Sequence, residues 1–434
     1  MAAPRVLIDG FNLALKHGTG IKTYTMLLDQ ALRSRGADAS FLFGYDLPPQ
    51  EDPLLGEVQF HNDPVERPKT RLYLIRRKAL TWGKAALNSA PPIKRVPSNA
   101  VVVTGPSNGP RPLERALNGK CLYAAAWQRS VYFGKFLDAR APETFDALHM
   151  TYPIPLRVKG AGRKIVTIHD LIPLRLPYTT TDDKAELLRR HRIWAAEADL
   201  IFTVSEFSKA DIVELLDVDP ERVAVTHQPS RFAPLADDEA EEQVKTLWRY
   251  DLEPQGYMLF VGAIEPKKNL GRLLKAYADA DVDKPMVVIG PRGWMWQDEI
   301  GWLLDNERPE LKRKIRFLDH VPVEDLRFIL SGALAAAMPS LYEGYGLPLV
   351  EAMGFGVPLL ASRSSSLPEV AEDAAVYVDP FDVRDLRDAI ERLVGDAALR
   401  QQLSAHGLAR SQRLTMDNFT GQVADGYRKL GLLD

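Results

Sequence analysis

Short apolar runs alternate with helix-like segments along nearly the whole of the 434 residues, and few folds accommodate that rhythm. Runs of four or five aliphatic residues suit strands buried on both faces, which occur in parallel sheets wrapped by helices. In the first half they fall at residues 6–9, 40–43, 147–149, 165–169, 200–204 and 223–225. In the second they fall at 258–261, 286–289, 315–317, 335–338, 358–361 and 375–378. Residues 229–242, rich in proline, alanine and acids, separate the two sets. The expectation is therefore an α/β chain of two domains, 1–232 and 233–414, and the length is too great for one ordinary domain.

A content of 46% apolar and 26% charged residues is that of a soluble globular protein, and a formal net charge of −3 argues against nucleic acid as a principal partner. Cys121 is the sole cysteine, which excludes a disulfide framework and a thiolate metal cluster and makes a reducing cytoplasm the simplest setting. The first strand begins almost at Met1, and no apolar run approaches the ~20 residues of a spanning helix, so neither a signal peptide nor membrane integration is expected. One stretch departs from the plain alternation. Residues 67–113 contain no acid, whereas Arg67, Lys69, Arg71, Arg76, Arg77, Lys78, Lys84, Lys94 and Arg95 are basic, with Leu72, Leu74, Ile75, Leu80 and Trp82 among them. This pattern fits an amphipathic basic helix resting on an anionic membrane face, or a solvated helix whose charge is one-sided.

The densest chemical signal is S-L-Y-E-G-Y-G-L-P-L-V-E-A-M, with Glu343 and Glu351 eight residues apart. A buried strand at 335–338 runs into a glycine turn, Gly344-Tyr345-Gly346, which opens a helix. Freed backbone N–H groups and the positive helix end there suit a phosphate. Glu351 points back toward the helix start and can reach a group bound near it, although an acid in early helical turns also complements the macrodipole. Phosphates on the N–H groups and hydroxyls on the carboxylates describe a nucleotide sugar. Lys267 and Lys268 follow another strand and Gly262, where paired ammonium groups can neutralise a diphosphate or simply be solvated. His169 and Asp170 end a third strand, where a histidine is structural or functional. Gly18 and Gly20 lie in a loop that lacks the third glycine of the dinucleotide fingerprint, Thr23 standing there, which removes the main support for an oxidoreductase. Asp217-Val218-Asp219 and Asp281-Val282-Asp283 lie in turns away from the diphosphate position, and no His/Cys cluster has zinc spacing, so no metal or other cofactor is expected.

The string from Glu343 to Met353 closely resembles the E-x7-E signature of retaining glycosyltransferases of GT-B type, family four. E-P-K-K-N-L at Glu265 to Leu270, H-D-L-I-P-L at His169 to Leu174 and T-V-S-E-F-S at Thr203 to Ser208 resemble further segments of that family. The likeness is dense from residue 257 to about 393 and consists of islands before it. It implies two Rossmann-like domains facing a central cleft, with a terminal helix over 415–434 crossing back onto the first. It implies catalytic roles for Lys268, Glu343 and His169. Donor contacts are implied for Gly18, Gly20, Gly262, Lys267, Gly290, Val321, Gly344, Tyr345, Gly346, Leu347 and Glu351, and an acceptor contact or a cap for Asp170. Many relatives carry an arginine where this chain has Ala263, a departure in the phosphate site. The function implied is metal-independent, retaining transfer of a hexose, mannose from GDP-mannose first, to a glycan or lipid-linked acceptor in surface polysaccharide assembly. Rhamnosyl or glucosyl transfer from dTDP- or UDP-sugars is the alternative, and a nucleotide-dependent oxidoreductase or an inactive nucleotide-sugar-binding protein stands in another class.

Overall fold

The computed structural model describes residues 3–15, 20–47, 52–61, 71–97, 102, 115–304, 309–319 and 321–434. Two sheets form in sequence. The first contains β1 (Arg5–Asp9), β2 (Asp38–Phe43), β3 (Ile93–Arg95), β4 (Ala116–Gly119), β5 (Leu137–Met150), β6 (Leu156–Thr167), β7 (Leu200–Thr203) and β8 (Val223–Val225), in the order β3-β4-β2-β1-β5-β6-β7-β8. All of its pairs are parallel except β3 with β4. The second contains β9 (Met258–Val261), β10 (Met286–Ile289), β11 (Ile315–Leu318), β12 (Ala335–Met338), β13 (Leu359–Ser362) and β14 (Ala375–Val378), all parallel, in the order β11-β10-β9-β12-β13-β14.

That second order reverses between β9 and β12. In doubly wound sheets the crevice outside the strand ends at such a reversal is where ligands bind. The turns leaving β9 and β12 carry the two lysines and Glu343 respectively, so the topology alone brings the two sequence signals together.

Sequence patterning located the apolar centres of twelve strands but not β3 or β4. Both are short, Ile-Lys-Arg at the sheet edge and Ala-Leu-Asn-Gly beside it, with too little apolar length to register. β5 and β6 extend well before their apolar runs, through charged residues. β6 also ends at Thr167, which leaves His169 beyond the strand rather than within it.

The helix Ala240–Arg249 packs on the helix Val323–Ser331 of the second sheet, and residues 226–236 connect the two domains. After the helix Ala397–Ser411, the helix Met416–Lys429 packs on the helix Gly20–Ser34 of the first domain. One apolar cluster therefore runs from Tyr24 and Phe202 through Phe419 and Tyr427 to Leu259, Met338 and Leu349, joining the inner layers of both domains. Among the described residues no helix is long and apolar enough to cross a membrane.

Candidate active site

The chain leaving β9 makes a single 3-10 turn over Pro266–Lys268 and enters the helix Leu270–Asp279 through Asn269, whose backbone is left-handed. Asn269 is buried and its amide donates to the carbonyls of Pro339 (3.0 Å) and Pro380 (2.7 Å), tying this turn to the loop that follows β12. The tie fixes the lysines relative to Glu343. Lys268 Nζ lies 2.6 Å from Glu343 Oε1, and Ser340 donates to the same oxygen at 2.7 Å. Burial raises the cost of charge on Glu343, but Lys268, Lys267 and the hydrogen bonds outweigh it, so its pKa lies below the ordinary value. Lys267 is 3.4 Å from Glu265. Burial opposes its charge too, yet Glu343, Asp170 and Glu265 raise its pKa. Asp170 and Glu265 are shifted upward, chiefly by burial. Two ammonium groups thus face three carboxyl groups in a water-poor crevice.

The glycine turn is held by serine hydroxyls. Ser366 donates to the carbonyls of Glu343 and Tyr345, both at 3.0 Å, while Ser205 and Ser208 of the first domain donate to Gly344's at 2.7 and 3.1 Å. A trans peptide points its N–H opposite to its carbonyl. The N–H groups of Gly344, Tyr345 and Gly346 are therefore turned away from these serines, and none has a partner among the described residues. Gly346, with φ at 103°, opens the helix Leu347–Gly354. Three free donors at a helix N-terminus form a receptor for an anion.

Glu351 is buried within that helix. Arg231 Nε, from the connecting segment, approaches its Oε1 to 2.6 Å without hydrogen-bond alignment, and Nη2 makes only a 3.5 Å bond to Oε2. Burial, only partly offset by Arg231, pushes the Glu351 carboxyl up to about 7. Its Oε1 has no hydrogen-bond partner among the described residues. Arg231 escaped the sequence reading because a single cation in an irregular segment has no pattern to mark it.

His169 closes the site from the first domain. Its Nε2 lies 3.0 Å from the Thr151 carbonyl, an acceptor, so Nε2 carries the hydrogen. Burial depresses its pKa to about 4, which keeps the ring neutral and leaves Nδ1 as an acceptor. Tyr24 packs edge-on against the ring at 4.9 Å. Thr151 is in turn anchored by the buried Asp9 through its N–H and hydroxyl. A Cβ on Gly344 would stand 2.9 Å from the His169 carbonyl oxygen and 3.0 Å from Asp170 Cβ, so the two domains touch at the turn itself. Asp170 accepts from Ile172 N–H at 3.1 Å and faces Lys267.

The remaining expected residues divide. Gly290 takes φ 153°, and a Cβ there would lie 1.9 Å from Gly262's carbonyl oxygen, so the two glycine turns abut and only glycine fits. Val321, after β11, is partly buried against the apolar cluster that includes Met338 and Leu349. Gly20 begins its helix, and a Cβ there would meet nothing within 4 Å among the described residues. Gly18, like Arg67 and Lys69, lies outside the described residues. The Asp-x-Asp pairs serve turns: Asp217 ends a helix and Asp219 caps the 3-10 turn Pro220–Arg222.

Two facing α/β domains, with a cation pair, an anion-receptive turn and two buried carboxyl groups at the switch point of the second, define a GT-B glycosyltransferase. The family model described as "Glycosyl transferases group 1" matches residues 248–410, and "Glycosyltransferase Family 4" matches residues 98–229. O-antigen chain mannosyltransferase B of Escherichia coli is 34% identical over 275 residues, covering 62% of this chain and 71% of that protein. The serotype-specific mannosyltransferase WbdA of E. coli is 28% identical over 309 residues, 66% of this chain but only 36% of WbdA. Among solved structures, sucrose-phosphate synthase from Thermosynechococcus elongatus aligns with a TM-score of 0.66 at 16% identity, over 99% of both chains. Anabaena HepE in complex with UDP and glucose aligns at 0.63 and 14%, over 98% of this chain and 100% of that one. The chain belongs to glycosyltransferase family four.

Proposed function

We propose that this enzyme transfers mannose from GDP-mannose, with retention at the anomeric carbon and without a metal, to a hydroxyl of a glycan or lipid-linked acceptor in surface polysaccharide assembly, on the cytoplasmic side of the membrane. The observation that carries the reading is the Lys268–Glu343 pair at the β9/β12 switch point, opposite His169. A diphosphate entering there meets Lys267, Lys268 and the three free N–H groups. These groups stabilise the charge that grows on the departing nucleoside diphosphate. Glu343, released from part of its pairing with Lys268, accepts from sugar hydroxyls, and Glu351 accepts from the ribose. In a front-side displacement the acceptor hydroxyl attacks as the phosphate leaves, and the phosphate oxygen takes the proton. The protein then supplies position and field rather than a base. His169 Nδ1, a neutral acceptor, suits a hydroxyl of the transferred sugar. The choice of mannose rests on the named activities of the E. coli relatives.

Thermal unfolding with GDP, UDP, dTDP or NAD tests the donor site, since a ligand bound to the folded chain raises its stability by mass action. Stabilisation by GDP above the others is expected, and indifference to all three diphosphates would sink the donor assignment. A donor screen with the product's anomeric configuration read by NMR tests sugar and stereochemistry. An inverted product would overturn the mechanism.

A further inference from the structure

The loop after β10 crosses the cleft. Trp294 donates its indole N–H to the carbonyl of Thr179, in the first domain, at 2.6 Å. Thr179 ends the 3-10 turn Pro177–Thr179, which follows the helix Ile172–Arg175 and so continues the segment that His169 and Asp170 begin. Tyr178 beside it is 62% exposed, and Trp294 itself is 39% exposed. One aromatic side chain from each domain therefore stands at the edge of the cleft with ring surface left to solvent. Met295, next in the loop, holds a left-handed backbone with φ at 55°, which a residue other than glycine keeps only where its surroundings impose it.

The second sheet sets the place of this rim relative to the donor. Alternate residues of β9 and β10 enter two apolar clusters, Phe260 and Val288 one, Leu259 and Val287 the other. The helices after β9 and β10 pack into the first, through Leu270, Leu273, Ile300 and Leu303. Leu349 of the Glu351 helix and Phe232 of the connecting segment join the second. A nucleoside on Glu351 thus lies toward the connecting segment, and the rim lies on the other side of the lysine turn. The two loops there are bonded: Gly293 N–H donates to the Ile264 carbonyl at 3.0 Å, and Ile264 N–H to that of Pro291 at 2.9 Å. A Cβ on Gly293 would stand 3.4 Å from Glu265 Cβ, and Glu265 is itself 3.4 Å from Lys267. In a front-side displacement the acceptor hydroxyl attacks beside the departing phosphate, so the acceptor must approach next to the lysines and clear of the nucleoside. The rim flanks that approach. A pyranose ring has an apolar face of C–H bonds that an aromatic face can cover while the hydroxyls stay in water. We propose that Tyr178 and Trp294 form a subsite that holds a sugar ring of the acceptor, which is therefore a glycan already begun rather than a bare lipid. The inference rests on the transfer proposed at the Lys268–Glu343 pair and deepens it by naming the acceptor class.

The test is binding of α-linked trisaccharides of mannose, rhamnose and glucose to the full chain in the presence of GDP, followed by saturation-transfer NMR, with acceptor kinetics for those elongated. Binding of at least one is expected. Tyr178→Ala and Trp294→Ala should each weaken it about tenfold and raise the acceptor KM alike, with kcat kept within about threefold. Trp294→Phe keeps a ring but loses the N–H that meets Thr179, and should retain affinity within about threefold. Binding of none of the trisaccharides, or binding that survives both alanine variants, would overturn the proposal. So would a fall in kcat at unchanged acceptor KM, or a loss in Trp294→Phe equal to that in Trp294→Ala, which would mean that Trp294 acts only through Thr179. GDP-induced thermal stabilisation, measured without glycan, should be the same in wild type and variants and shows that the variants fold. A chain that binds a trisaccharide through Tyr178 but is stabilised by no nucleoside diphosphate would overturn the donor reading and leave the glycan subsite standing.

Discussion

At Glu351, burial and pairing oppose each other. Between the ordinary carboxyl value of 4.5 and about 7, the folded chain holds a proton there that the unfolded chain has released. The stability contributed by this group therefore falls as pH rises through that window and is lowest above it. Glu351→Gln should stabilise the chain by up to about 3 kcal/mol at pH values above 7, with the gain vanishing near the unfolded value. Urea unfolding across pH checks this, and nucleotide binding should weaken at the same time if the carboxylate holds the ribose. The Lys268–Glu343 pair behaves differently. Lys268→Ala strands a buried carboxylate, costing about 3 kcal/mol of stability and at least about a hundredfold in transfer rate. Adding Glu343→Gln to Lys268→Met should restore stability but not transfer, and a double-mutant cycle on both readouts separates the roles. Lys268 and Glu343 were legible because each stands in the turn leaving a strand, where local sequence and topology coincide, and Glu351 because of its eight-residue spacing from Glu343. Arg231 and Thr151 were not, since their contacts to Glu351 and His169 depend on long-range folding that no spacing encodes.

Among elements, the helix Glu206–Leu216 is bound to both domains at its first turn. Ser205 caps it by accepting from Ser208 N–H and also donates across the cleft to Gly344. Glu369, from the second domain, accepts from the N–H groups of Glu206 and Phe207 at 2.8 and 3.0 Å and lies 2.9 Å from His227 Nε2. Ser208 shares the Gly344 contact without the side-chain capping role. Ser208→Ala should therefore cut kcat severalfold while costing only about 1 kcal/mol, whereas Ser205→Ala loses the cap as well and about 1 kcal/mol more. Steady-state kinetics beside chemical denaturation distinguishes them, and a kcat unchanged in both would show that the cross-domain bonds do not position the turn. The central strands of the second domain, β9, β10, β12 and β13, were readable because each is a short apolar run largely buried on both sides. β3 and β4 were not, because strands of three or four residues at the margin of a sheet owe their conformation to pairing rather than composition.

Across the whole molecule, the chain passes from the first domain to the second at residues 226–236 and returns through the helix Met416–Lys429. Tyr427 OH lies 2.9 Å from Nδ1 of the buried His149, whose Nε2 meets Thr167 at the same distance. Burial holds this imidazole at about 3, so it stays neutral and needs both partners. Tyr427→Phe should cost about 1–3 kcal/mol by leaving Nδ1 unsatisfied. Denaturant unfolding of the full chain measures it, and no change would mean that water replaces the phenol. The returning helix also governs the order in which the molecule can be made. Residues 5–225 leave the ribosome first, yet Tyr24, His149 and Phe202 lack the side chains that cover them until Phe419 and Tyr427 have emerged. The second domain can close on its own sheet earlier. The half synthesised first is thus the half completed last, and a nascent chain halted before residue 416 exposes an apolar surface for chaperones to shield.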